Sequence, residues 1–172
     1  ARAALAELFA RRESPAALPF ARAALAALHS STTLRTLGDV LHLEAARRQG
    51  EPEQDPVPLW GEALSLDPRD VGARLALGWH HHDRKDFEAV RRVVLPGIGR
   101  DRQREPELQY LLGLAGMGLQ EPLVAQLHFR ASRGFRNADD LAALAGSIAS
   151  SRPKPTPTPV ARPLGPLDPE GV

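Results

Sequence analysis

Apolar residues along the chain recur at three- and four-residue steps, the spacing that gathers them on one face of an α-helix. Leu34, Leu37, Val40 and Leu41 form one such stripe, and Leu108, Leu111, Leu112 and Ala115 form another. No stretch alternates apolar and polar positions for more than a few residues, so no strand is expected. Residues with specific backbone habits mark the boundaries. Ser14-Pro15 and Asp55-Pro56 set a capping side chain before a proline at the first helical position, where the missing N–H costs nothing. Pro106 and Pro122 are placed to open helices, and Gly50, Gly99 and Gly134 suit the left-handed residue that closes one. These marks predict helices near 2–12, 15–29, 32–48, 56–66, 71–83, 86–95, 106–118, 122–133 and 138–149. The expected fold class is all-α: four antiparallel helix pairs and a single last helix, stacked in series.

Such stacking calls for an internal repeat. In Pro106 to Ser132, Leu112-Gly113 is followed by Ala125 twelve residues after the glycine, and by Phe129 four later. In Val71 to Pro96, Leu77-Gly78 is followed by Phe87-Glu88-Ala89-Val90; Ala89 comes eleven residues after the glycine, which reads as a one-residue deletion in the turn. LWGEALSLDPRD, Leu59 to Asp70, has Trp60 at the aromatic position, Ala63 at the small one and Asp67-Pro68 in the terminal turn. Its partner helix carries Leu37-Gly38, with a connection lengthened by about six residues around Glu51 to Gln54. The first pair keeps only Ala16, Phe20 and Ala23. Gly78 and Gly113 mark places where two helices approach closely, Ala63, Ala89 and Ala125 give the facing helix room, and Trp60 and Phe129 fill space between successive pairs.

This ordered series resembles the tetratricopeptide repeat (TPR) family in divergent form, with about three to four repeats. The likeness runs well over residues 32–133 and poorly over 1–31; Gln109 and Gly116 stand where the family has tryptophan and tyrosine. The resemblance implies an α-α superhelix whose concave groove, lined by the first helix of each pair, receives a peptide or protein partner. It points to Arg35, Asp39 and His42 in the second unit, Leu75, Trp79 and His82 in the third, and Tyr110, Leu114 and Met117 in the fourth. Trp79 and Tyr110 stand out, because aromatic residues dominate binding hot spots. The basic residues with which family members clamp a terminal carboxylate are not recognisable here.

A chain of 172 residues, 42% of them apolar, allows one core and argues against global disorder. The absence of cysteine excludes disulfides, thiol nucleophiles and thiolate metal sites, and suits cytosol or periplasm alike. No apolar run approaches the ~18 residues of a membrane span. Seven of the 16 prolines fall in the last 21 residues, RPKPTPTPVARPLGPLDPEGV, which predicts an extended polyproline tail. At ~3.1 Å per residue such a tail reaches ~65 Å and can dock on another subunit or act as a linker. The expected organisation is a repeat domain over 1–136, a capping helix over 137–150, and the tail over 151–172. The capping helix would start at Asn137, with Asp140 near its positive end and Leu141, Leu144, Ala145 and Ile148 on its buried face.

Charge narrows the function classes. The net charge is +1, and without the tail the 19 basic residues balance 19 acidic ones, which removes the usual case for nucleic acid. Arginine outnumbers lysine twenty to two, the bias of a GC-rich, bacterial genome. Arg47-Arg48, Arg91-Arg92 and Arg100, Arg102 and Arg104 cluster, but with acidic residues interspersed, so they read as solvated surface. His80-His81-His82-Asp83 is the one eye-catching run. Consecutive helical residues point about 100° apart, so three adjacent imidazoles cannot converge on one ion. No metal site, cofactor or catalytic set is expected: His29, His42 and His128 are isolated, and no glycine-rich phosphate loop or nucleophile elbow occurs. The expected function is a non-enzymatic protein–protein interaction module, a scaffold, adaptor or assembly subunit. The competing reading, a nucleic-acid-binding helical repeat, rests on the twenty arginines.

Overall fold

The computed structural model describes residues 3, 4, 6, 7 and 16–151, among which the regular structure is all helical. Ala3, Ala4, Ala6 and Glu7 are helical. The rest of the expected first helix, the Ser14-Pro15 cap and the proline-rich tail lie outside the described residues. There follow α1 (Ala17–Ala27), α2 (Ser31–Arg48), α3 (Val57–Leu66), α4 (Val71–Asp83), α5 (Phe87–Val94), α6 (Glu105–Gly118), α7 (Pro122–Ala131) and α8 (Ala138–Ser151). A 3-10 turn over Leu95–Gly97, which the periodicity does not signal, continues α5.

Short polar side chains start these helices. Ser30 accepts from the Thr33 N–H while the Thr33 hydroxyl receives the Ser30 N–H, a reciprocal box at the start of α2. Asp70 accepts from Ala73 N–H at 3.0 Å and Asp86 from Ala89 N–H at 3.1 Å, capping α4 and α5. Pro122 is the first residue of α7 and Pro106 the second of α6. The Asp55 carboxylate accepts from Val57 N–H, so α3 begins one residue later than expected. The left-handed residue after α2 is Gln49 (φ 52°), not Gly50; after α4 it is Lys85 (φ 59°), and after α6 Gln120 (φ 60°). Gly99 and Gly134 do have positive φ, but in the loops beyond the 3-10 turn and α7.

The glycines sit where helices meet. A Cβ on Gly38 would lie 2.5 Å from the Trp60 indole, one on Gly113 2.6 Å from the Phe129 ring, and one on Gly78 2.6 Å from Val94 and 2.7 Å from Leu111. Trp60, 2% exposed, and Phe129, 0% exposed, thus rest on the glycine of their own pair and also face the next element, Trp60 meeting the His80 ring of α4 and Phe129 packing with the alanines of α8. Phe129 and Val94 each follow their glycine by sixteen residues, and Ala125 and Val90 each by twelve. Val90, fully buried, therefore takes the place assigned to Ala89, and the expected deletion in that turn is absent. Trp60 follows Gly38 by twenty-two residues; Gln49 follows it by eleven, where Lys85 and Gln120 follow theirs by seven. Four of the six extra residues therefore lengthen α2 by about one turn.

The core runs as three clusters in series. The first joins Ala6, Ala17, Ala21, Leu34, Leu37, Leu41 and Leu59, the second Val71, Leu75, Val90, Val94, Leu108 and Leu111. The third joins Tyr110, Ala125 and Phe129 to Ala138, Ala142 and Ala145 of α8. Of the expected Leu141, Leu144, Ala145 and Ile148 face, Ala145 is in this cluster and Leu141 packs half-buried against it, while Ala138 and Ala142 complete the buried stripe. Leu144 is half exposed, whereas Ala138, Ala142 and Ala145 lie where α8 packs closely on α7. The same close approach favours alanine along the seam.

Candidate partner-binding groove

A cleft of about 330 Å³ opens between α2 and α4, with Trp60 of α3 at its back. Asp39, His42 and Leu43 form one wall, and Ala76, Trp79, His80 and Asp83 the other. Each wall is one helical face, spaced by three, four and seven residues. Trp79 is half buried. Its indole N–H donates to Glu107 of α6 at 3.1 Å, and its ring meets His82 and Tyr110 at centroid distances of 5.5 and 6.4 Å. The Arg136 guanidinium lies 4.9 Å from the Trp79 ring centre and 5.6 Å from that of Tyr110.

A polar tie holds the α2 wall. The Trp60 indole N–H donates to Asp39 Oδ1 at 2.9 Å, and Arg35 Nη1 donates to Asp39 Oδ2 at 3.2 Å. Arg35 also reaches Glu7 at 3.5 Å and Asp70 at 3.4 Å, while Ser31 donates to Asp70 at 2.6 Å. Burial works against the Arg35 charge, but Asp39, Asp70 and Glu7 outweigh it and hold the guanidinium above its ordinary pKa. Burial likewise pushes the Asp39 carboxyl up, against the pull of Arg35 and Trp60. Across the cleft, burial lowers the His80 pKa, with Arg84 and His81 acting in the same direction. Both cleft-lining groups are thereby drawn toward their neutral forms.

Of the residues named from the repeat pattern, Asp39, His42 and Trp79 come together on this cleft. Two do not line any surface: Leu75 is 4% exposed in the second core cluster, and Tyr110 is 6% exposed in the third, its hydroxyl donating to Asn137 Oδ1 at 2.8 Å. Arg35, at the same repeat position, is held in its three-carboxylate tie. The reason is angular. At about 100° per residue, a residue three before the packed glycine lies only about 60° from it, on the seam between neighbouring helices. Positions one and five after it lie about 100° and 140° away and face the cleft. His82 turns to Trp79 and Phe87, while Leu114 and Met117 pack half-buried against the third cluster. Leu43, Ala76, His80 and Asp83 were not singled out, although their spacing with His42 and Trp79 carries the signal. The histidine run diverges: His80 meets Trp60, His81 lies 4.0 Å from Asp86, and His82 lies 3.3 Å from Asp83. Among the described residues, no group of three or more metal-ligating side chains is placed to hold an ion. No helix among them is long and apolar enough to cross a membrane.

The stacked antiparallel pairs, glycine-seated aromatics and closing α8 define a TPR-like helical repeat fold. No family model matches the chain, and no curated protein does. Among solved structures it is similar to one titled "MamA RS-1 ArsTM double mutant", a TPR-containing protein, with a TM-score of 0.59 and 19% identity over 87% of this chain and 91% of that one.

Proposed function

We propose that the protein is a non-enzymatic interaction scaffold that takes an extended peptide segment of a protein partner in the cleft between α2 and α4. One observation carries this reading: a half-buried tryptophan, Trp79, stands with Leu43 and Ala76 over an open cleft whose lining surface is mostly apolar. Asp39 is already bonded to Trp60 and Arg35, so it shapes the wall rather than reacting with a ligand. The likeness in fold to a TPR-containing protein supports the same class of function.

The test is recovery of a crosslinked partner from native lysate with Trp79→Ala and with Leu43→Glu, the second placing a charge on an exposed site of the cleft. Both variants should lower recovery about tenfold, the usual cost of losing a central anchor. Leu127→Ala, exposed on α7 outside the cleft, should leave recovery unchanged. Undiminished recovery with both cleft variants overturns the proposal.

A further inference from the structure

A second cleft, of about 460 Å³, lies at the opposite side of Arg35, between the turn that leads into α4 and the loop that leads into α6. Arg69, Arg100, Arg102 and Arg104 border it, together with Val71 and Gly72 from the first turn of α4. The sequence intersperses these arginines with acidic residues, and from sequence alone they look neutralised. The folded loops turn those carboxylates toward other partners. Asp101 turns its carboxylate back to accept the N–H groups of Gln103 at 2.8 Å and Arg104 at 3.3 Å. Asp67 accepts from Arg69 N–H at 2.9 Å, and Glu105 accepts from Gly99 N–H at 2.7 Å. Asp70 is consumed by Ser31, Ala73 N–H and Arg35. These carboxylates keep their charge, but none of them is ion-paired with Arg69, Arg100, Arg102 or Arg104. The guanidinium groups of Arg69, Arg100, Arg102 and Arg104 have no ion-pair partner among the described residues.

Arg69, Arg100, Arg102, Arg104 and Arg35 outnumber Asp70 and Asp101 around this cleft, which leaves it net positive and favourable to an anion. A carboxylate has two oxygens and one charge, which a single arginine fork already satisfies. A phosphate monoester offers three terminal oxygens and close to two charges, so it can accept from several forks at once. The arginines are also compactly placed, between two loops, in a chain whose net charge is only +1. A nucleic-acid backbone would instead need a basic track. We propose that this cleft is a binding site for a phosphate monoester, carried either by a phosphorylated side chain of a protein partner or by a small phosphate ester.

The experiment is calorimetric titration of the full chain with four probes: a phosphoserine peptide, the same peptide with glutamate at that position, inorganic phosphate, and a single-stranded RNA oligonucleotide. The phosphoserine peptide should bind more tightly than the glutamate peptide. Arg100→Gln combined with Arg102→Gln should weaken it about tenfold or more. Arg92→Gln, an exposed arginine on α5, should have no effect. Equal sensitivity of inorganic phosphate to the paired substitution assigns the site to small phosphate esters, whereas weak phosphate binding beside a tight phosphopeptide assigns it to a protein partner; either result upholds the phosphate site. Three results overturn it: no preference for phosphoserine over glutamate, unchanged binding by the Arg100/Arg102 variant with native circular dichroism, or tighter binding of RNA than of either phosphate probe with the same arginine dependence.

Discussion

Glycine in a helix interior costs roughly 1 kcal/mol relative to alanine, so a chain that keeps one there gains something from the missing Cβ. At Gly113 the gain is the seat of Phe129, whose ring carbons lie 2.6 Å from where that Cβ would be. Gly61, in α3, faces nothing within 4 Å. The two positions should therefore respond oppositely to the same substitution. Gly113→Ala should lower stability by about 1–3 kcal/mol, the cost of overpacking a filled core, while Gly61→Ala should raise it by up to about 1 kcal/mol through helix propensity. Urea denaturation of both variants measures the contrast. A Gly113→Ala protein as stable as the parent would mean that Phe129 does not seat there. The same angular logic explains Leu75 and Tyr110. They are legible as important from their spacing, but their distance from the glycine around the helix places them on the seam, not in the groove.

Although the caps Asp70 and Asp86 were not singled out, the helix starts at Pro106, Pro122 and Asp55 were readable because their signals are local. The turns inside each pair were not. Gln49, Lys85 and Gln120 adopt the left-handed conformation that glycine favours, and tertiary packing of the two helices holds them there. No sequence rule marks a lysine or glutamine for that position. Lys85→Gly removes the Cβ clash, and its expected effect is a gain of up to about 1 kcal/mol, partly offset by the freer unfolded chain. Thermal unfolding would register this as a raised Tm; a clear loss would show that the Lys85 side chain contributes more than its backbone costs. Ala138 and Ala142 of the α8 stripe escaped notice for a different reason: alanine is both the best helix former and the residue of closest packing, so a seam of alanines looks like any solvated helix. The walls of the α2–α4 cleft were partly legible, since Asp39, His42 and Trp79 lie on them; Leu43, Ala76, His80 and Asp83 share their helical spacing but were not singled out for the cleft.

With its core divided among three successive clusters, the molecule depends on contacts between neighbours rather than on one centre. Residues 138–151 cover Phe129, Ala125 and Tyr110, and the Asn137–Tyr110 hydrogen bond fastens the start of that cover. A chain ending at residue 136 should bind a hydrophobic dye such as ANS and lose its third cluster at a lower temperature, while Trp60 and the first cluster keep their protection in hydrogen exchange. Loss of protection in all three clusters together would show instead that the array unfolds as one cooperative unit.

The two tryptophans fall on either side of that division. Trp60 lies against Gly38 and the Asp39 carboxylate, whereas Trp79 is bonded to α6 and stacked under Arg136. The chain thus carries a native fluorophore for each half, in surroundings different enough to differ in emission. With one indole replaced by phenylalanine, the remaining one becomes an optical reporter of its own half: Trp60 of the wall held by the half-buried ion pairs, Trp79 of the junction with the last repeat and of whatever enters the groove beside it.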